Sequence, residues 1–415
     1  MDSDIADPKL ASRGRMRVEW AAGRMPVLSS VKGEFCSTRP LAGLRVGASL
    51  HVTSETANLM LTLRDAGAEL SLCASNPLST QDDVAAALVA EGVEVLAVRG
   101  EDSERYHRHI EEVLGRRPDL LVDDGGDLIS ALHRSHPGLS PMGATEETTT
   151  GVNRLRSMAR EGALRLPVVA VNDSATKHLF DNYYGTGQST LDGIVRSTNL
   201  LVAGATVVVV GYGHCGQGVA VRADGMGARV IVVEVDPVRA LQALMDGFGL
   251  LTAREAASRG DIFITVTGNR HVLSRDHLAL MKDGAILANA GHFDVEIDVE
   301  ALADGSVGRR TVRPNLEEFE MGDGRRLYLV SEGRLANLGA AEGHPADVMD
   351  LSFSNQALAL RWLVEEHDSL EPDVYVLPAE IDQTVARIKV AALGGSLEQL
   401  TPSQREYMAG WRFGT

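Results

Sequence analysis

The sequence predicts an α/β protein of two doubly wound parallel-sheet domains with a C-terminal helical tail, and three observations carry that prediction. Short β-rich runs alternate with amphipathic segments over the first 180 residues, and a second alternating series starts near residue 205. At 415 residues the chain is too long for one ordinary core, at about 150 residues per domain. In both series polar residues or glycines gather where the apolar runs end, the rim on which parallel sheets bind ligands.

The first series comprises LRVGASLHV (44 to 52), ELSLCAS (69 to 75), VEVLAVRG (93 to 100), DLLVDDGGD (119 to 127) and LPVVAVND (166 to 173). His51, Asp123, Asp124, Asn172 and Asp173 fall at or just past the ends of these runs. The next stretch, SATKHLFDNYYGTGQSTLDGIVRSTNLLVAG, has helical periodicity and is expected to cross between the domains. It sets Lys177 and Asp181 four residues apart, on one helix face, with Asn182 next in line. ATVVVVGYG opens the second series, followed by ARVIVVEVD (228 to 236), DIFITVTG (261 to 268) and AILANAG (285 to 291). Beyond residue 345 the pattern is helical again over 347 to 367, then comes a Pro-bearing stretch and a polar tail ending GWRFGT. The expected division is residues 1–184 with 346–390 as a substrate-binding domain, 185–345 as a Rossmann domain, and 391–415 as a tail for oligomer contact.

The glycines of VVVVGYGHCGQG identify the cofactor end. Gly211, Gly213 and Gly216 follow four valines that read as a buried strand and precede a helix-compatible segment. A pyrophosphate must approach such a turn closely, at a helix N-terminus whose free N–H groups favour an anion. Glu234 lies 234 − 211 = 23 residues after the first glycine, at the end of the next strand, where an acid binds the adenosine ribose and favours NAD over NADP. Cys215 inside the loop reads as a small filler.

Composition narrows the function classes. Fifty-seven acidic against 40 basic residues give a net charge of −17, which repels a phosphate backbone, and no basic run offsets it, so no nucleic-acid partner is expected. No apolar run is long enough to span a bilayer and the first residues lack a secretory apolar region, so the expectation is a cytoplasmic protein without membrane contact. Three dispersed cysteines argue against a disulfide framework or a metal site. His107 and His109 in RYHRHIEE read as a solvated helix face, Asp123 and Asp127 as turn or cap residues, and Trp20, Trp362 and Trp411 as core or interface.

HVTSETA, NPLSTQDDVAAAL, DDGGDL, EETTTGV, NDSATKHLFDN, GYGHCGQG, GHFDVEID and NLGAAEGHP occur in this order along almost the whole chain. This set resembles the S-adenosyl-L-homocysteine hydrolase family, in its short form. The resemblance implies two α/β domains closing on hinges, a tightly bound NAD, a small-molecule nucleoside substrate and a homo-oligomer, usually a tetramer, in the methyl cycle. It implies reversible hydrolysis of S-adenosylhomocysteine to adenosine and homocysteine by 3′-oxidation, elimination of the thiol, water addition and re-reduction. On the matching positions, Lys177 and Asp181 hold the ribose hydroxyls, with Lys177 as base; that task requires a neutral amine and hence a pKa lowered by a dry site or a nearby positive charge, a shift that Asp181 opposes, and sequence alone does not weigh the two. Asp124 and His51 serve proton transfer near C4′ and C5′, His292 assists the thiol or the water, and Glu147 and Asn182 anchor the sugar and the lysine. Thr53, Glu55 and His344 read the adenine edge, while Thr265, Thr267 and Asn337 line the nicotinamide side.

The sequence departs from the family where YGTGQST replaces a cysteine-bearing YGCRES, where the C-terminal lysine and tyrosine motif is missing, and at Glu342, where an apolar residue is common. Alternatives are an inosyl or other nucleoside substrate, a catalytically silent NAD-binding regulator, and a 2-hydroxy-acid dehydrogenase. The last does not account for EETTTG or HVTSET.

Overall fold

In the computed structural model, which describes residues 2–412, the strands form two sheets. The first contains β1 (Arg45–Leu50), β2 (Glu69–Ala74), β3 (Glu94–Leu96), β4 (Leu120–Asp123), β5 (Gly143–Glu146), β6 (Val168–Ala170) and, from far downstream, β15 (Val374–Tyr375). The second contains β7 (Thr206–Val210), β8 (Arg229–Val233), β9 (Gly249–Leu250), β10 (Ile262–Thr265), β11 (Ile286–Asn289), β12 (Ser306–Arg313), β13 (Leu316–Met321) and β14 (Arg326–Val330).

Every pairing in the first sheet is parallel, in the order β15-β6-β5-β4-β1-β2-β3. The order reverses between β4 and β1, and such a switch point opens a crevice at the carboxyl ends of the two strands. His51 follows β1 and Asp124 follows β4, so the topology alone brings them together. The second sheet runs β12-β13-β14-β11-β10-β7-β8-β9, with its switch between β10 and β7. Gly211 leaves the end of β7 and Thr267 follows β10, again as neighbours.

The parallel runs read from the sequence are all present, because fully buried strands appear as continuous apolar stretches. Besides β12, β13 and β14, three elements escaped that reading. β5 is only GATE, too short and too polar to register, yet it delivers Glu146 and Glu147 to the rim. β9 and β15 are two residues each. A doubly wound sheet was expected, and the parallel core carries in addition an antiparallel β12-β13-β14 extension at one edge. Its exposed Arg309 and Arg310 pair across strands with the more deeply set Glu317 and Glu318, a charged pattern that suits an edge.

Separate apolar clusters underlie the sheets, one joining Leu50, Val122 and Phe353 and others joining Val209 with Ile264 and Val208 with Phe263. Trp362 packs on the first of these, whereas Trp20 and Trp411 are exposed. No helix among the described residues is long and apolar enough to cross a membrane.

His109 corrects the solvated-face reading. It is buried, with Nδ1 2.8 Å from Glu101 Oε2 and Nε2 2.9 Å from Asp4 Oδ2, and it ties the N-terminal segment to the helix Ser103–Gly115. Spacing on the helix could not show this, because both acids come from elsewhere in the chain. Burial disfavours its charge, but Glu101 and Asp4 outweigh burial and raise its pKa above the ordinary 6.5. A raised histidine stabilises most when protonated in the fold, so its contribution is complete below pH 6.5 and vanishes as pH rises through the higher folded value. The denaturation midpoint of wild type should therefore exceed that of His109→Asn most at the acid end of this window. A gap that grows with rising pH would refute the assignment.

Candidate active site

The carboxyl ends of both sheets face one cleft of about 560 Å³. Four helices begin on its wall: Ser54–Asp65, Thr149–Arg160, His214–Gly225 and Ala253–Ala257. The side chains fall into three groups.

The first group surrounds Lys177. Its Nζ lies 2.9 Å from Asp181 Oδ2, donates to Asn182 Oδ1 at 2.8 Å, and lies 3.5 Å from Glu147 Oε1. Contact with both the fourth and the fifth residue onward is unusual for an α-helix and has a local cause. Residues His178–Gly185 form a π-helix, whose i→i+5 bonding widens the turn. Asn182 donates in turn to Asn172 Oδ1 at 3.0 Å, Ser352 Oγ donates to Asp181 Oδ2 at 3.0 Å, and Gln356 Nε2 donates to Glu147 Oε2 at 2.6 Å. His344 Nδ1 meets Asp181 Oδ1. Glu147 Oε1 is buried and accepts no hydrogen bond.

The structure decides the balance at Lys177 that the sequence left open, and against the lowered pKa its task requires. Burial does oppose its charge, but Asp181 and Glu147 more than compensate, so the amine is held above its ordinary value. Asp181 shows the complement: burial would raise it, yet Lys177 and His344 drive it well below the carboxylate range. Burial pushes Glu147 up to about 8, with Lys177 opposing. The resting state is thus an ammonium–carboxylate pair beside an acid that titrates near neutrality.

The second group joins the two sheets. His51 Nε2 is 3.3 Å from Asp124 Oδ2, and His292 Nδ1 is 3.6 Å from Asp124 Oδ1. Ser79 and Ser75 hydroxyls lie 2.8 and 3.0 Å from His51 Nδ1. Burial lowers His51 to about 4, so its ring is neutral at neutral pH and free to accept or relay a proton. Asp123 serves the turn as expected, accepting from the backbone of Asp124 and Ile129. His51, Asp124 and His292 are close enough to ligate a cation, although no metal site was expected.

The third group is the glycine turn. Gly211 has φ 106°, and a Cβ on Gly216 would lie 2.0 Å from Gly211 O, so the turn tolerates no side chain. Gly213 caps the helix His214–Gly225 without a side-chain bond, leaving its first N–H groups open to an anion. Glu234, just past β8, accepts from the Tyr212, Val235 and Asp236 amides at 2.7, 2.6 and 2.9 Å, which fixes its carboxylate at the rim. Asn337 donates to Ser189 Oγ at 3.2 Å while its Oδ1 is buried without a partner, an acceptor suited to a carboxamide N–H. These features fit a dinucleotide.

Of the seventeen residues singled out from the sequence, Glu55, Gly216 and Thr265 do not line the cleft. Glu55 is buried on the first turn behind Thr53 and accepts from Ser54 Oγ. Gly216 supports Gly211 from beneath. Thr265 donates to Asn289 Oδ1 at 3.0 Å, and Asn289 Nδ2 donates to the carbonyls of Gly291 and Phe293, which flank His292. Sequence reading missed Glu296, which accepts from Thr267 N, Thr267 Oγ and Gly268 N, and also Ser352 and Gln356. A signal for the latter pair existed: Ser352, Asn355 and Gln356 stand at i, i+3 and i+4 in the middle of a largely buried helix, sharing one polar face.

Comparison with known proteins places the chain among relatives of one family. The family description "S-adenosyl-L-homocysteine hydrolase, NAD binding domain" matches residues 182–343, and "S-adenosyl-L-homocysteine hydrolase" matches residues 2–142. The chain is 56% identical to the adenosylhomocysteinase of Aquifex aeolicus over 418 residues, and 55% identical to that of Sulfurisphaera tokodaii over 415, covering 100% of every chain compared. It is also 55% identical to the S-inosyl-L-homocysteine hydrolase of Methanopyrus kandleri, covering 99% of this chain and 98% of that one.

Proposed function

Because the chain belongs to the S-adenosyl-L-homocysteine hydrolase family and is an enzyme with NAD as its cofactor, we propose that it catalyses the reversible hydrolysis of S-adenosylhomocysteine to adenosine and homocysteine. The observation that carries this reading is Lys177 Nζ, held by Asp181 and Asn182 in the same cleft as the glycine turn. A base beside a dinucleotide seat suits oxidation of a hydroxyl, and the net reaction follows from what the oxidised ribose allows.

Bound NAD supplies reversible hydride exchange with the ribose 3′ carbon, the chemistry that renders the adjacent C4′–H acidic. Gly211, Gly213 and Glu234 hold the adenosine half, and Asn337 with Thr267 the nicotinamide side. Asp181 and Asn182 orient the 2′ and 3′ hydroxyls. Lys177 takes the 3′-hydroxyl proton, which requires that its own resting proton first leave; Glu147 Oε1, unbonded and 3.5 Å away, receives it when Glu147 is ionised. Asp124 with the neutral His51 moves the C4′ proton. His292 delivers a proton to the departing thiolate sulfur and withdraws one from the water that adds at C5′. Thr53, Glu55 and His344 bound the nucleobase.

Residues 1–184 with 346–390 make the substrate domain, 185–345 the NAD domain, and 391–415 an oligomer contact in a cytoplasmic homotetramer of the methyl cycle; residues 413–415 of that tail lie outside the described part.

Support for a second substrate comes from the inosyl-specific name of one relative as similar as the adenosyl ones. The deciding experiment follows thiol release by the NAD-loaded enzyme from the adenosyl and inosyl compounds in parallel. Preferential release from the adenosyl compound is expected. Release from the inosyl compound alone would reassign the substrate, and silence with both would end this reading.

A further inference from the structure

Arg154 bonds the turn after β4 and touches the loop after β11, behind the point where His292 meets Asp124. It projects from the helix Thr149–Arg160, and its guanidinium is one-third exposed. Nη1 donates to the carbonyl oxygen of Gly125 at 2.5 Å and to Asp127 Oδ1 at 2.8 Å, and Nη2 donates to Ser130 Oγ at 3.0 Å. These bonds grip the turn that carries Asp124 and the helix Asp127–Ser135 that follows it. On the other side, Cζ lies 5.4 Å from the centroid of the Phe293 ring, within range of a cation–π contact. The Phe293 ring stands edge-on to His292, with centroids 4.8 Å apart.

The turn needs such a grip. Gly125 has φ 109°, and a Cβ there would lie 2.2 Å from His292 Nε2, so the imidazole occupies the space a side chain would fill. A Gly-Gly turn is the most freely rotating backbone in the site and does not hold this approach by itself. Glu146 Oε1 accepts the Gly125 N–H at 2.9 Å and Arg154 binds the Gly125 carbonyl, so both backbone polar groups of the residue against His292 are tied by side chains. Arg154 itself neither lines the cleft nor contacts the Lys177 group.

We propose that Arg154 is a positioning residue: it sets His292 against Asp124 by holding Gly125 on one side of the cleft and the Phe293 ring on the other. The inference rests on the functional reading above and locates its own effect at the thiol end of the substrate, away from the 3′-hydroxyl.

Two readouts on the NAD-loaded enzyme separate the ends. Thiol release from S-adenosylhomocysteine requires His292 and Asp124. Reduction of the bound cofactor on adding adenosine, seen in the absorbance of the reduced nicotinamide, requires only the Lys177 end. R154A should lower kcat for thiol release by about 10²-fold, the cost of roughly ångström-scale misplacement, and leave cofactor reduction unchanged. R154K should recover only part of the loss, since an ammonium lacks the planar fork that binds Gly125, Asp127 and Ser130 together. F293L keeps every hydrogen bond of Arg154 and should slow thiol release by about two- to fivefold. In the double variant the losses should not multiply, because both changes break one contact. Equal losses in both readouts, no loss in either, or strictly multiplicative losses would overturn the proposal. If R154A does not fold, F293L alone decides by the same two readouts. Were wild type itself to release no thiol, the functional reading would fall and this inference with it; were wild type active and R154A equal to it, only the inference would fall.

Discussion

Replacing Lys177 by alanine should lower thiol release by about 10²- to 10⁴-fold, the range expected when a positioned base is removed. Geometry comes first: among the described residues, Nζ is the one cation held at once by Asp181, Asn182 and Glu147. Electrostatics comes second. The fold stores a proton on this amine, and Glu147, pushed up to about 8, is the neighbour that can receive it once ionised. Lys177→Arg discriminates a base from a mere charge, because a guanidinium keeps the cation and never gives up its proton at working pH. Both variants should lose activity to a similar degree while retaining NAD. An arginine variant with substantial turnover would reduce Lys177 to a counter-ion. Removing the cation also strands two buried carboxyls, a cost of about 3–5 kcal/mol when a buried pair is broken, so the alanine variant should melt earlier.

The second large effect is expected at Gly216→Ala. A methyl group there would sit 2.0 Å from the backbone oxygen of Gly211, an overlap that side-chain rotation cannot relieve. The turn must open, and opening moves the amides that receive the pyrophosphate. Overpacking strain of about 1–3 kcal/mol corresponds to an affinity weakened by roughly 5- to 150-fold. The measurement is the molar ratio of NAD to protein after gel filtration, then the activity regained on adding NAD back. Wild type should elute loaded and the variant depleted, with activity partly restored by excess cofactor. Full retention of NAD by the variant would show that this turn does not set cofactor binding.

The sequence made the glycine turn legible because all its determinants are local: four valines, three glycines and one acid at fixed spacing. The first-sheet rim was legible for a related reason, since strand ends can be read from apolar runs and the switch point then makes neighbours of residues after β1 and β4. Periodicity failed where the backbone departs from standard repeats. The spacing of Lys177 and Asp181 suggested an α-helical pair, whereas the π-helix also brings Asn182 to the same amine. It failed too where partners are distant in sequence. His109 looked solvated because Asp4 and Glu101 are not visible from its own helix. The charge state of Lys177 was not legible because desolvation and two acids compete there, and the balance depends on distances that spacing does not supply.

The four helices that begin on the cleft wall give the molecule two opposed fields. Each helix start carries partial positive charge, up to about half an elementary unit at a long helix such as His214–Gly225, whose first amides no side chain caps, and less at Ala253–Ala257, which a Thr252–Glu255 box closes. The chain as a whole carries −17. A pyrophosphate approaching from bulk solvent therefore meets repulsion out to roughly a Debye length and attraction only once inside. Capture of the dinucleotide is then slowed, not steered, by the protein's exterior, and added salt, by shortening the repulsive reach more than the enclosed attraction, hastens entry while leaving retention almost untouched.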